Sequence, residues 1–120
     1  MAKILIVDDM ASMRKMVSFT LESVGHEVVQ GDDGDVALEI AQNQSFDLVI
    51  TDVNMPNMDG ITLTKELRAI PSFKFTPILL LTTESGKDKK MSGKAAGATG
   101  WLVKPFDPDK LLATIKRVLG

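Results

Sequence analysis

The sequence predicts a doubly wound α/β domain, a parallel sheet with helices on both faces. Two observations carry this. Five runs of four to six residues are rich in Ile, Val and Leu: Lys3–Val7, Glu27–Gln30, Leu48–Thr51, Pro77–Thr82 and Gly100–Val103. Strands apolar on both faces suit a parallel sheet covered on both sides. Between them lie stretches with helical spacing, so strand and helix alternate five times along the chain.

The elements follow in order. After the first strand, Ala11–Val24 places Met13, Met16, Val17, Thr20, Leu21 and Val24 on one helical face, and Gly25 is a stop signal. Asp35–Asn43 carries Val36, Ala37, Ile40 and Ala41, and Ile61–Ala69 carries Leu63, Thr64 and Leu67. Ser72–Phe75 reads as a loop, and His26, Phe73 and Phe75 as packing or surface. Lys87–Ala96 is mostly polar and contains Gly93, which costs about 1 kcal/mol in a helix. It is still expected to be helical, because two parallel strands need a crossover; it should be the least stable helix. Asp107 and Pro108 open the last helix as N-cap and first helical residue, with Leu111, Leu112, Ile115, Val118 and Leu119 turned inward. No linker, repeat or low-complexity tract interrupts the pattern, so residues 1–120 are expected to form one domain.

Composition narrows the chemistry. There are no cysteines and one histidine, which argues against disulfides, thiolate zinc sites, cysteine nucleophiles and Ser-His-Asp triads. No apolar run approaches the ~18 residues of a membrane span, and MAKILIV turns acidic too soon for a signal peptide. A cytoplasmic protein is expected. Charge is divided unevenly: residues 1–60 carry 3 Lys/Arg against 11 Asp/Glu, and residues 61–120 carry 11 against 5. That suggests an acidic pocket from the first half and a basic face from the second.

In open parallel sheets, sites form at the carboxyl ends of the strands. Asp8 and Asp9 directly follow the first strand, and Asp52 follows the third. One aspartate there is readily a helix N-cap. Two, with Asp52 in the equivalent place, point to a shared pocket if the two strands are neighbours. Three carboxylates within ~4–6 Å raise each other's pKa values, and a divalent cation relieves that. Oxygen-only donors favour Mg²⁺ or Ca²⁺. Thr82 ends the fourth strand and Lys104 the fifth. A hydroxyl, an ammonium and a cation around one carboxylate suit a phosphoryl group, which an aspartate can accept as a nucleophile.

These residues carry a resemblance. The pair Asp8-Asp9, Asp52, the turn MPNMDG (Met55–Gly60), Thr82 and the KPF of Lys104–Phe106 together resemble the response-regulator receiver family over the whole chain. The likeness is greatest to its single-domain chemotaxis members. It implies a flavodoxin-like five-stranded parallel sheet of order 2-1-3-4-5 with five helices, an order taken from the family. It also implies roles. Asp52 would be the phosphoacceptor of a CheA-like histidine kinase. Mg²⁺ would be bound by Asp9, Asp52 and the Asn54 backbone carbonyl, and by Asp8 through water. Lys104 would pair with the phosphoryl group, the Lys104–Pro105 bond would be cis, and Thr82 would move toward the phosphoryl oxygen. Asn54 and Glu84 would tune dephosphorylation.

The family's switch aromatic aligns with Trp101, where chemotaxis members often carry tyrosine. Tryptophan is bulkier and offers only an N–H donor. It could switch with Thr82 and Lys104 or remain half-buried packing. The resemblance implies a cytoplasmic, monomeric signalling protein that catalyses its own phosphotransfer and dephosphorylation. Its output face would be the fourth helix, fifth strand and fifth helix, where Lys87, Lys89, Lys90, Lys94, Lys110, Lys116 and Arg117 cluster. The partners implied are the kinase, a flagellar motor switch protein and a phosphatase. A phosphate sink, relay intermediate or adaptor remains the alternative output.

Other classes fit less well. An aspartyl phosphatase would want a second carboxylate where Asn54 stands. A nucleotide or flavin module would want a glycine-rich loop where DDMAS (Asp8–Ser12) stands. A net charge of −2 disfavours nucleic acid.

Overall fold

Strand and helix alternate along the whole chain: β1 (Lys3–Val7), α1 (Ala11–Glu22), β2 (Glu27–Gly31), α2 (Gly34–Asn43), β3 (Leu48–Asp52), α3 (Gly60–Arg68), β4 (Ile78–Thr83), α4 (Lys87–Ala96), β5 (Gly100–Lys104) and α5 (Pro108–Leu119). The computed structural model describes residues 2–83, 87–104 and 106–119. All strand pairs are parallel, in the order β2-β1-β3-β4-β5. β1 and β3 are therefore neighbours, with Val7 opposite Thr51.

The period of two along each strand sorts side chains into two cores. Leu5, Val7, Val49 and Ile78 face α2 and α3, packing with Ala37, Ala41, Leu63 and Leu67. Ile4, Ile6, Leu48, Ile50, Leu79 and Leu81 face the other way, against Val17 and Leu21 of α1 and Leu111 and Ile115 of α5. Each such side chain contributes roughly 1.5–3 kcal/mol on burial. Two-sided burial is why these strands are continuous apolar runs rather than alternating ones.

Three details differ from the sequence reading. α1 ends at Glu22, so Val24 lies beyond it and is exposed. The buried stripe of α1 is Val17, Ser18 and Leu21, with Met13 partly covered, while Met16 is 54% exposed. Met16 and Ser18 flank Val17 at equal angles, so periodicity alone could not choose between them. Second, Val36 of α2 is exposed, and Ala37 and Ala41 carry that contact.

Third, the 72–75 segment is not a plain loop. Pro71–Phe73 forms a 3-10 turn, and Phe73 is fully buried with its ring 6.4 Å from that of Phe46. Arg68 holds this turn. Its Nη1 donates to the carbonyls of Phe73 and Thr76 at 2.6 Å each, and its Nε to that of Gly97 at 3.0 Å. Burial lowers the Arg68 pKa, although a guanidinium remains charged.

Gly93 has a packing reason. Among the described residues of α4, Gly93 and Ala96 are the buried ones. A Cβ on Gly93 would fall 2.3 Å from Leu80 Cδ1. The missing side chain lets a polar helix lie directly on β4.

Candidate functional site

Three strands deliver the site. β1 runs into Asp8 and Asp9, β3 ends in Asp52 and β5 ends in Lys104. By strand alternation Asp8, Asp52 and Lys104 share the face of Ile6, Ile50 and Leu102, so they converge where β1, β3 and β5 stop. This is the crevice at the carboxyl edge where ligands of such sheets bind.

One carboxylate oxygen from each of Asp8, Asp9 and Asp52 lies within 4.8 Å of the others. Asp8 and Asp52 are buried and Asp9 is exposed. Lys104 Nζ sits 3.0 Å from Asp52 Oδ1 and 3.3 Å from Asp8 Oδ2. Val53 N–H also donates to Asp52 Oδ1, at 2.9 Å. Asp8 Oδ1 accepts the Met10 N–H at 2.9 Å. The N-cap of α1 is Met10, with no side-chain cap, so helix capping does not account for the acidic pair.

The electrostatics follow from burial. Burial pushes the Asp52 pKa up, the Lys104 ammonium opposes it, and the neighbouring Asp8 charge adds to the rise; the net direction is up. Burial would discharge Lys104, but its contacts with Asp52 and Asp8 outweigh that and raise its pKa. Lys104 is therefore a fixed positive charge between two acids.

The donors fit a hard divalent cation. All are oxygens, and the buried Asp8 Oδ2 has no hydrogen bond, only the ion pair to Lys104. Beside the carboxylates, Asp9 and Asn54 line a cleft with Met55, Pro56 and Asp59. Gly60 opens α3 against this floor: its N–H donates to the Val53 carbonyl at 2.8 Å. A Cβ there would lie 2.1 Å from the Asp52 carbonyl oxygen.

Asp8, Asp9, Asp52 and Lys104 are thus brought together, with Asn54 alongside. Thr82 stands near the end of β4, beside β3, but its side chain is by alternation on the other face of the sheet from Asp52. By alternation it shares the side of Ile78 and Leu80, and its buried Oγ1 has no hydrogen bond. Trp101 and Val103 face that same side. Trp101 is 39% exposed, with Lys90 Nζ 5.4 Å from its ring centroid. Glu84 and Pro105 lie outside the described residues.

Sequence reasoning missed Asp33, the N-cap of α2. It is buried and accepts three backbone N–H groups, two of them from the loop after Asp52. The signal available was the run GDDGD (Gly31–Asp35) just before a helix. It pointed to a cap but not to the distant loop.

An acidic crevice closed by a lysine, at the carboxyl edge of a 2-1-3-4-5 sheet, is the architecture of a receiver-type domain. The response regulator receiver domain family matches residues 4–116, and the chain belongs to it. The solved structure of chemotaxis protein CheY4 from Vibrio cholerae superposes with a TM-score of 0.94 at 56% identity, covering 98% of each chain. Chemotaxis protein CheY-3 of the same organism is 42% identical over 118 residues, covering 98% of this chain and 88% of that protein. The receiver domain of a sensor histidine kinase from Pseudomonas aeruginosa, solved with a magnesium ion coordinated in its active-site cleft, gives a TM-score of 0.92 at 29% identity, covering 99% and 98% of the two chains. No helix among the described residues is long and apolar enough to cross a membrane.

Proposed function

We propose that this receiver is a cytoplasmic, CheY-like chemotaxis regulator, phosphorylated on Asp52 by a CheA-like histidine kinase. The observation that carries the reading is Lys104 Nζ held between Asp52 and Asp8, beside a third carboxylate. Asp52 Oδ1 is occupied by Val53 N–H and Lys104, which leaves Oδ2 to attack the phosphorus of a phosphohistidine. The N–P bond breaks, and its electron pair leaves with the imidazole. Asp9, Asp52 and the Asn54 carbonyl would hold Mg²⁺, with Asp8 acting through water. The ion supplies charge neutralisation on the transferring oxygens. Lys104 supplies the second positive charge and remains on the product.

Thr82 supports a switch. Its buried hydroxyl lacks a partner at the carboxyl end of β4, the strand beside β3, and a phosphoryl oxygen reaching from Asp52 past the sheet edge would provide one. Thr82 shares its sheet face with Trp101, so a shift of Thr82 would be felt at the face of α4, β5 and α5. A groove there is lined by Trp101, Lys104, Phe106, Lys110, Leu111 and Arg117 among others. Apolar walls with cationic rims suit an acidic peptide, and a flagellar motor switch segment is the partner proposed. Asn54 and Glu84 would tune hydrolysis, with or without a phosphatase partner. The protein acts as a monomer and does not bind nucleic acid in this reading.

Lys90 over the Trp101 ring favours a second output. Holding the indole outward stabilises it by about 0.5–1 kcal/mol at an exposed site. A receiver so biased would serve as phosphate sink, relay intermediate or adaptor. Titrating a motor switch peptide in Mg²⁺, with and without beryllofluoride, separates the two, with Trp101 fluorescence as probe and Asp52→Asn as control. Tighter peptide binding in the activated wild type alone supports motor control. A fluorescence response without peptide binding leaves the receiver chemistry and rejects the motor.

A further inference from the structure

The geometry points to Asp33 as a positioning residue for the β3–α3 loop that carries Asn54, and through it for the cation site. The inference rests on reading Asp8, Asp9 and Asp52 as a Mg²⁺ site.

Asp33 stands outside the acidic crevice. Helix capping alone would engage only the N–H groups of α2. Instead Oδ1 accepts from Gly34 N–H at 2.7 Å and from Met58 N–H at 2.8 Å, and Oδ2 accepts from Asn57 N–H at 3.2 Å. Two of three donors come from a segment 24 and 25 residues away. The same contact is closed from the helix side: a Cβ on Gly34 would meet the Met58 carbonyl oxygen at 2.3 Å. There is no room between the start of α2 and the loop.

The loop is therefore held at both ends. Its base is fixed where Gly60 N–H bonds the Val53 carbonyl, and its tip where Asn57 and Met58 bond Asp33. Asn54, Met55 and Pro56 lie between these points and line the cleft shared with Asp9. A backbone carbonyl can only be aimed by the chain on either side of it. Partners behind a metal's ligands fix their direction, and losing one typically costs about 10- to 100-fold in affinity.

The test is calorimetric titration of Mg²⁺ into wild type, Asp33→Ala, Asp33→Asn and Gly34→Ala, with Asp52→Asn as the control lacking a ligand. Amide exchange at Asn57 and Met58 reports the loop, and urea unfolding in EDTA reports stability apart from the ion. Asp33→Ala should raise the Mg²⁺ Kd by about tenfold or more while the protein is still folded. Asp33→Asn should lose less, because its carbonyl oxygen can still accept from Gly34 and Met58. Gly34→Ala keeps the carboxylate but pushes on the loop, so it should weaken Mg²⁺ as well. If Asp33→Ala does not fold, Asp33→Asn and Gly34→Ala decide the question.

Unchanged Mg²⁺ affinity with a lowered urea midpoint would make Asp33 a helix cap only, and the inference falls. A wild type that binds Mg²⁺ no better than Asp52→Asn overturns the site reading itself, a separate result.

Discussion

Two buried aspartates in this molecule are treated in opposite ways. Burial raises the Asp33 pKa, but the N–H groups bonded to it, Met58 first and then Asn57 and Gly34, outweigh it, and the net direction is down. Its contribution to stability is thus fully present above the unfolded value near 3.8 and is lost as pH falls through the lower folded value. Urea midpoints measured from neutral into acid pH should fall more steeply for wild type than for Asp33→Asn. Parallel curves would mean the carboxylate is not held as described. Ser18 gives a second residue-scale prediction. Its Oγ is buried in the α1 stripe with no hydrogen bond. An unmatched buried hydroxyl costs about 1–3 kcal/mol, and alanine is the better helix former. Ser18→Ala should raise ΔG of unfolding by about 1 kcal/mol, seen as a higher urea midpoint at unchanged m-value. Neither Ser18 nor Asp33 was legible in the sequence. Each depends on what lies across a tertiary contact, whereas Asp8, Asp9 and Asp52 were legible because strand ends are visible as apolar runs that stop.

At the scale of elements, the central strands β1, β3 and β4 were readable because burial on both sheet faces leaves an uninterrupted apolar signal, while the partly exposed edge strands β2 and β5 kept only short apolar runs. What was not readable is which flank of α1 turns inward and why Gly93 interrupts α4. The glycine looked like a defect in a weak helix, and it is the contact that lets α4 approach Leu80. Gly60 plays a harder version of that role, because the obstacle is the backbone of Asp52 itself. Gly60→Ala and Gly93→Ala therefore differ in kind. At position 60 the carbonyl of Asp52 must move, so the cost should reach or exceed the upper end of the ~1–3 kcal/mol overpacking range. At position 93 the end of a leucine side chain can turn aside, and alanine returns about 1 kcal/mol of helix propensity. Denaturation of both variants should show Gly60→Ala clearly the less stable. The reverse order would mean that α4, not the start of α3, is the rigid contact.

Across the whole molecule, the site is a concentration of negative charge that the fold tolerates rather than needs. Asp52 has a raised folded pKa, so between its unfolded and folded values the native state holds its proton more tightly than the unfolded chain does. Stability then falls as pH rises through that window and stays lower above it. Ionised Asp52 is a standing cost at neutral pH, only partly offset by Lys104, which also has Asp8 as a partner. Asp52→Asn removes that charge and leaves the Lys104–Asp8 pair. Without divalent ions the variant should melt above wild type. Mg²⁺ reverses the comparison, because a ligand that binds only the native state adds about 2.7 kcal/mol at 100 times its Kd. Wild type should gain that stabilisation and Asp52→Asn little of it, so the two melting temperatures should approach and cross as Mg²⁺ is added. Melting curves across a Mg²⁺ series check this directly. Parallel rises in both proteins would place the ion somewhere other than the Asp8, Asp9 and Asp52 crevice. A variant no more stable than wild type in EDTA would mean that Lys104 already neutralises the pocket without a metal.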